Sequence, residues 1–325
     1  AASVSQKQPA MDQIMFPADM KDAPIGVFDS GIGGLTVLKM MRHALPAERF
    51  IYVGDLGRSP YGSKSAETVR RCVLQITAFL LSHHVKMIVI ACNTASAVAG
   101  DIIRECAYPV PVIEVVGRGS EMALEMIPPD HRGDARIGIL GTDTTVRSGV
   151  YADRIRVLAD ARGMRRPEIL QQACPLFVPL VEEGWWSGEI PDLTAARYLR
   201  AMREFKPHVV ILGCTHFPVL SEPIAKALPE GTILTDCAPA VVQRAEAILR
   251  ERGWLVPAGS AGSAEGPAET VFYCSDSIDT FRCQAERFLD MPVDFVHHVD
   301  LETVSIREGD LCCPRQISTV KPSSI

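Results

Sequence analysis

The sequence contains an internal duplication, and this feature constrains the fold more than any other. The segment IGVFDSGIGG, beginning at Ile25, aligns with IGILGTDTTV, beginning at Ile137, and KMIVIACNTA from Lys86 aligns with HVVILGCTHF from His208. A third pair follows in the same order, because VPVIEVV in the first part has its counterpart in GTILTDCAPAVV in the second. Two similar structural halves are therefore expected.

Each half begins with a short apolar run that leads into a turn. In the first half, PIGVFD ends at Ser30 and the glycines of SGIGG, after which Leu35, Val37, Leu38 and Met41 take up helical spacing. Strands that alternate with helices predict a parallel sheet covered on both faces. Further strands are predicted at 49–53, 86–91, 110–115, 136–140, 169–173, 209–212 and 231–235, with helices at 66–83 and 146–161.

We therefore predict an α/β protein of two similar doubly wound domains, each with a mainly parallel sheet. The domains are expected to be related by a pseudo-twofold axis, with the active site at their interface. The first domain is predicted to comprise 24–117 plus about 238–304, and the second 118–237. We also predict an N-terminal extension at 1–23, a flexible insertion at 258–268 and a C-terminal tail at 305–325. Residues 270–300 are predicted to form a strand, a helix and a last strand that return to the first domain.

Charge and composition exclude several classes of function. The net charge of −6 argues against direct nucleic-acid binding, which requires a dense basic surface. The most apolar stretch, 85–99, is interrupted by Cys92, Asn93 and Thr94 and is shorter than the ~20 residues that span a bilayer. No apolar block of signal-peptide length occurs in 1–23, so we expect a cytoplasmic protein whose ten cysteines are mostly free thiols.

Two cysteines are the main candidates for chemistry, because each directly follows an apolar strand in the duplicated segments. Cys92 lies in VIACNTA and Cys214 in ILGCTHFP, and ligands of open α/β sheets bind outside the carboxyl ends of the strands. A single cysteine there is as often a buried small residue. Two thiols facing one ligand from opposite sides suit inversion of a chiral carbon, since one removes a proton as base and the other donates one as acid.

Each thiol needs a neighbour that assists proton transfer, because a free cysteine has a pKa of about 8.5. His216 is the candidate beside Cys214, and a histidine bonded only to nearby backbone is the alternative. Asp29 is assigned to a substrate ammonium or to proton exchange with Cys92, and an N-cap is its alternative role. Glu182 and Glu183 are candidates on the Cys214 side, and an exposed structural carboxylate is equally expected for either.

Polar groups near these residues are candidates for substrate binding. Ser30 and the backbone N–H groups of the DSGIGG turn can bind a carboxylate. The RSPYG turn offers Tyr61 and Gly62 for a second carboxylate, although such a sequence is more often an ordinary surface turn. Neutral hydrogen-bonding groups beside the thiols complete the set: Asn93, Thr94 and Thr215. The chain lacks the GxGxxG and GxxxxGK[ST] signatures, which disfavours nucleotide binding.

The chain resembles the glutamate racemase family through DSGIGGLTVL, YVGDLGRSPYG, VIACNTASA, ACPLFVPLVEEG and ILGCTHFP, in that order. The resemblance covers roughly 24–300. It implies interconversion of L- and D-glutamate without cofactor or metal, and a supply of D-glutamate for bacterial peptidoglycan. It also implies that the two cysteines are the bases and that substrate contacts fall on eight positions: Asp29, Ser30, Tyr61, Gly62, Asn93, Thr94, Thr215 and His216.

The same resemblance assigns help in proton transfer to Asp29, Glu182 and His216, and it implies a monomer or homodimer. In some long members the N-terminal extension takes part in binding a peptidoglycan precursor as activator, so 1–23 is a candidate for that role. Two rival functions stay open. One is a racemase or related enzyme for aspartate, hydantoins or malonate-type acids, and the other is a binding or regulatory protein that touches a DNA topoisomerase.

Overall fold

The computed structural model describes residues 20–257 and 268–304 of the chain. Within them the strands form two sheets in which all neighbouring strands are parallel. The strands are β1 Ile25–Asp29, β2 Phe50–Gly54, β3 Met87–Ile90, β4 Val112–Glu114, β5 Arg136–Gly141, β6 Glu168–Ala173, β7 Val209–Gly213, β8 Ile233–Thr235, β9 Thr270–Cys274 and β10 Val296–His298.

Helices follow almost every strand and fill the chain between them. They are α1 Leu35–Ala44, α2 Ala66–Ser82, α3 Asn93–Ala107, α4 Val115–Glu125, α5 Asp143–Ser148, α6 Val150–Ala161, α7 Phe177–Glu182, α8 Glu189–Tyr198, α9 Arg200–Phe205, α10 Ser221–Ala227, α11 Ala238–Glu251 and α12 Ile278–Leu289. Among the described residues, no helix combines the length and the apolar character needed to cross a bilayer.

The two sheets repeat one topology, as the duplication predicts. The first sheet has the order β10-β9-β2-β1-β3-β4, and the second has the order β6-β5-β7-β8. In each half the first strand lies between the second and the third, and the fourth follows the third. The last two strands of the chain, β9 and β10, extend the first sheet beyond β2. The predicted α/β fold with two parallel sheets is confirmed.

Each sheet is covered on both faces, because alternate residues of a strand point to opposite sides. In the first sheet, Val27 packs in a core with residues of α1, α11 and α12, whereas Phe28 packs with residues of α2 and α3. In the second sheet, Ile139 packs with residues of α4 and α6, whereas Leu140 packs with residues of α7, α8 and α10. One of these cores, containing both Val27 and Leu140, runs between the two sheets.

Several element predictions need correction in detail. The helix predicted at 146–161 is divided at Gly149, whose φ of 68° is left-handed, so α5 ends there and α6 begins after it. The strands predicted at 110–115 and 231–235 are only three residues long. The strand, helix and strand predicted at 270–300 are present as β9, α12 and β10. Nearly all of the predicted extension, insertion and tail lies outside the described residues, and the domain boundaries stay predictions.

Candidate active site

Cys92 and Cys214 occupy matching places at the carboxyl ends of β3 and β7, the third strand of each half. Cys92 is the residue before α3, and its sulfur accepts a hydrogen bond of 3.5 Å from the N–H of Ala95, which caps the helix. Cys214 directly follows β7. Both residues are buried: Cys92 exposes 4% of its surface and Cys214 exposes 6%. Any reaction at these sulfurs therefore takes place largely screened from water.

Asp29 lies beside Cys92, because β1 and β3 are neighbours whose carboxyl ends lie at one edge of the sheet. Its carboxylate is fully buried, and Oδ2 accepts a hydrogen bond of 3.0 Å from the N–H of Gly31. Burial raises the pKa of Asp29, whereas the charge of His216 opposes the rise. The Cys92 thiol lies 3.6 Å from the hydroxyl of Ser30. Burial, together with the charge of Asp29, raises the pKa of Cys92 to about 12, so this group is a thiol at neutral pH.

Cys214 belongs to a chain of three polar side chains. Its sulfur lies 3.7 Å from Nδ1 of His216, and Nε2 of His216 lies 3.2 Å from Oε1 of Glu182, the last residue of α7. Burial of His216 acts to lower its pKa, but the hydrogen bonds to Cys214 and Glu182 outweigh it and raise the pKa to about 10. Of the two predicted glutamates, Glu182 is therefore the one that contacts His216, whereas Glu183 is exposed.

The glycine turn of the first half touches the cysteine strand end of the second half. A Cβ placed on Gly33 would lie 2.3 Å from Oγ1 of Thr215 and 2.5 Å from Nδ1 of His216, so only glycine allows this approach. The hydroxyl of Thr36 also lies 3.3 Å from the carbonyl oxygen of Thr215 and can donate to it. The turn after Asp29 and the loop after Cys214 therefore form one continuous site.

The reverse contact has the same form, as a pseudo-twofold arrangement requires. Thr142 follows β5 and stands where Ser30 stands in the first half. Its hydroxyl lies 3.1 Å from that of Thr94, and the Thr145 hydroxyl lies 3.4 Å from the same group. Each half thus places the turn after its first strand against the cysteine strand end of the other half.

Asn93 contributes an amide whose two ends have different surroundings. Its Oδ1 accepts a hydrogen bond of 2.6 Å from the hydroxyl of Tyr151, while its Nδ2 is buried and makes no hydrogen bond with the described residues. Oδ1 of Asp29 is likewise buried and makes no hydrogen bond within the described part of the chain. Buried polar atoms in native proteins normally have partners. An ammonium group of a ligand would complement Oδ1 of Asp29, and a carboxylate would complement Nδ2 of Asn93.

The RSPYG turn, predicted to offer backbone contacts to a second carboxylate, lies at the same interface. The hydroxyl of Tyr61 bonds to the buried carboxylate of Asp55, which also accepts from Nε of Arg58 at 2.8 Å. The Tyr61 hydroxyl is therefore occupied within the protein, which leaves the backbone contact of the prediction untouched. Gly62 packs against the second half, because its carbonyl accepts a hydrogen bond of 2.8 Å from the hydroxyl of Thr144.

Sequence reasoning missed the residues of the second half that touch the first. Thr142, Thr145 and Tyr151 were not among the candidates, although the alignment of IGILGTDTTV with the DSGIGG turn was available as a signal for the first two. A cluster suited to a metal by residue type, His131, Asp134 and His208, lies at the start of β5 and β7, the opposite edge of the second sheet. Nδ1 of His208 already accepts the N–H of Arg136.

The family follows from comparison with known proteins. A family model described as Asp/Glu/Hydantoin racemase matches residues 25–245. The glutamate racemase of Geobacter metallireducens is 40% identical over 278 residues, which are 86% of this chain and 97% of that protein. This chain belongs to the racemase family. The predicted resemblance and the predicted enzyme class, an amino-acid racemase and hence an isomerase, are confirmed.

Solved structures of this racemase family have the same fold. The glutamate racemase of Francisella tularensis, in complex with D-glutamate, is 36% identical with a TM-score of 0.77, over 87% of this chain and 99% of that one. The Escherichia coli glutamate racemase, in complex with L-glutamate and the activator UDP-MurNAc-Ala, is 28% identical with a TM-score of 0.63, over 85% and 98%.

Gly33→Ala tests the contact between the halves. The added methyl group must displace Thr215 and His216 beside Cys214, and a misplacement of about 1 Å in an active site can lower a rate by ~10²-fold. We expect racemase activity to fall by about that factor while circular dichroism keeps its native form. Gly133→Ala is the matched control, since nothing lies within 4 Å of its added Cβ. Activity of Gly33→Ala within twofold of wild type would contradict the proposed contact.

The raised pKa of His216 predicts a pH dependence of stability. A histidine whose folded pKa lies above the value of 6.5 stabilises the fold fully below pH 6.5, and this contribution is lost as the pH rises through about 10. Urea unfolding of wild type and His216→Asn should therefore show a free-energy difference that shrinks between pH 6.5 and 10. A difference that stays constant or grows over this range would show that His216 is not held in its charged form.

Proposed function

We propose that this protein is a glutamate racemase that interconverts L- and D-glutamate by proton transfer between Cys92 and Cys214, without a cofactor. The observation that carries the proposal is the pair of matching strand ends, each with a nearly buried cysteine, held against each other by reciprocal contacts between the two halves. A thiol on each face of one substrate carbon is what inversion requires.

The reaction proposed is a two-base exchange. One sulfur, as thiolate, takes the proton from the α-carbon and becomes a thiol, and the electron pair stays on the substrate as a carbanion beside its carboxylate. The opposite thiol then gives its proton to the other face and becomes the thiolate. In the reverse direction the two roles are exchanged, so no net proton is gained or lost.

The environments of the two cysteines differ in charge. The pKa of Cys92, raised to about 12, keeps this residue protonated and ready to act as acid. His216, whose pKa is raised to about 10, lies with Nδ1 3.7 Å from the Cys214 sulfur, within reach for exchanging a proton with it. We propose that Asp29 on one side, and His216 held by Glu182 on the other, carry protons to and from the sulfurs between turnovers.

Substrate binding is proposed to use the groups around the two sulfurs. The buried Asp29 carboxylate takes the ammonium, and the Asn93 amide N–H takes the α-carboxylate together with hydroxyls of Ser30, Thr94 and Thr215. Backbone N–H groups of Tyr61 and Gly62 begin a short 3-10 turn and so lack intrahelical partners. They are proposed to hold the second carboxylate, which would distinguish glutamate from shorter acids.

The cellular setting is proposed from the resemblance and the comparisons. The protein would act in the cytoplasm, as a monomer or homodimer, to supply D-glutamate for peptidoglycan synthesis. The Escherichia coli relative was crystallised with the activator UDP-MurNAc-Ala, and residues 1–23 are the proposed contact for such a precursor here. A turnover rate that is equal with and without UDP-MurNAc-Ala would remove the activator from the proposal.

Two measurements test the function. In heavy water, without added cofactor, the purified protein should exchange the α-proton of either glutamate enantiomer for deuterium, and it should exchange that of aspartate far more slowly. Cys92→Ser and Cys214→Ser should each slow racemisation by at least ~10²-fold, since a positioned acid or base contributes 10²- to 10⁴-fold.

The control is Cys283→Ser, because Cys283 is an exposed free cysteine that should be dispensable. Absence of exchange with both enantiomers would rule out racemisation. Exchange of aspartate in preference to glutamate would favour the rival substrate. Full activity of either active-site variant would rule out the two-thiol mechanism while leaving the enzyme class unchanged.

A further inference from the structure

Tyr151, near the start of α6, contacts the chain next to both cysteines. Its hydroxyl bonds to Asn93, the residue after Cys92. Its ring lies against Gly213, the residue before Cys214, where an added Cβ would stand 3.1 Å from Cε2 of the tyrosine. The side chain is fully buried and belongs to the second half, whereas Asn93 belongs to the first. One side chain therefore connects the two strand ends that carry the sulfurs.

The hydrogen bond from Tyr151 determines how the amide of Asn93 is turned. Burial raises the pKa of Tyr151 well above its ordinary value, so the phenol keeps its proton and needs an acceptor. Oδ1 of Asn93 is the acceptor of that proton, at 2.6 Å. With the oxygen facing Tyr151, the NH₂ group must face the other way, where Nδ2 has no partner among the described residues. A single bond thus presents an amide donor beside Cys92.

We propose that Tyr151 is a positioning residue, which holds the Asn93 amide with its N–H groups toward the substrate carboxylate and thereby sets substrate affinity. The proposal rests on the proposed function, since it assigns Asn93 to substrate binding. Without the bond, the amide is free to rotate and to turn its oxygen toward the carboxylate, and two acceptors facing each other repel. In this proposal Tyr151 acts through Asn93, the residue to which its hydroxyl bonds.

The ring of Tyr151 packs beside two glycines near the site. Gly119 in α4 and Gly213 at the end of β7 both lie against this ring, and a Cβ on Gly119 would stand 3.4 Å from the phenol oxygen. At Gly213 an added Cβ would lie 2.6 Å from the carbonyl oxygen of Leu140, so the neighbouring backbone requires glycine at this position. The ring is therefore fixed on one side by packing and on the other by Asn93.

A double-mutant cycle between Tyr151 and Asn93 tests the inference. Tyr151→Phe keeps the ring and removes the hydroxyl, and it should raise the KM for glutamate about 3- to 10-fold with kcat within about threefold. Asn93→Ala should raise KM more, by roughly 10- to 100-fold, because it removes a bond to a charged carboxylate. In the Asn93→Ala background, Tyr151→Phe should cause no further rise in KM.

Tyr198→Phe is the matched control. Tyr198 also loses one hydrogen bond when its hydroxyl is removed, because that hydroxyl accepts a hydrogen bond of 3.2 Å from the N–H of Leu176, and the residue lies outside the proposed site. Its variant should keep both KM and kcat. The inference is overturned by an unchanged KM in Tyr151→Phe, or by KM effects that multiply in the double variant. An unchanged KM in Asn93→Ala overturns it even where Tyr151→Phe does not fold. Each of these outcomes leaves the racemase function intact, whereas an inactive wild-type protein would refute the function itself.

Discussion

The close approach of Gly33 to Thr215 and His216 is the constraint on which the site depends. Because Gly33 has no side chain, the loop after Cys214 can lie directly against the turn after Asp29. The reciprocal hydrogen bonds of Thr94 with Thr142 and Thr145 join the equivalent loops on the other side. Both contacts come from equivalent loops, and Cys92 and Cys214 are the equivalent residues beside them. The two-base proposal follows from that symmetry.

Divergence between the halves supplies the chemistry that duplication alone lacks. Asp29 aligns with Gly141, so the carboxylate beside Cys92 has no counterpart at the equivalent position of the second half. His216 aligns with Thr94, so the imidazole beside Cys214 has no counterpart at the equivalent position of the first half. The charge of Asp29 adds to burial in raising the pKa of Cys92, and His216 places an acid-base group beside the Cys214 sulfur. A fully symmetric pair of cysteines would have equal environments and no preferred resting state. The protein combines symmetric positions with asymmetric charges, as a paired acid and base require.

Much of the fold was predictable, because apolar runs that end in glycines or polar groups mark buried parallel strands. The duplication predicted the shared strand order, and VIACNTA with ILGCTHFP predicted both cysteine positions. The break at Gly149 and the orientation of the Tyr61 hydroxyl toward Asp55 depend on backbone conformation and on contacts between distant residues, which periodicity does not report. Tyr151 was missed for the same reason, since its partners Asn93 and Gly213 lie far away in the sequence.

The central claim is that the two sulfurs lie on opposite faces of one substrate carbon, and a crystal structure with glutamate bound tests it most directly. The account predicts that Sγ of Cys92 and Sγ of Cys214 each lie within about 3–4 Å of the α-carbon, on opposite sides of the plane of its other three substituents. Glutamate bound with both sulfurs on one side, or with either one turned into the protein interior, would contradict it.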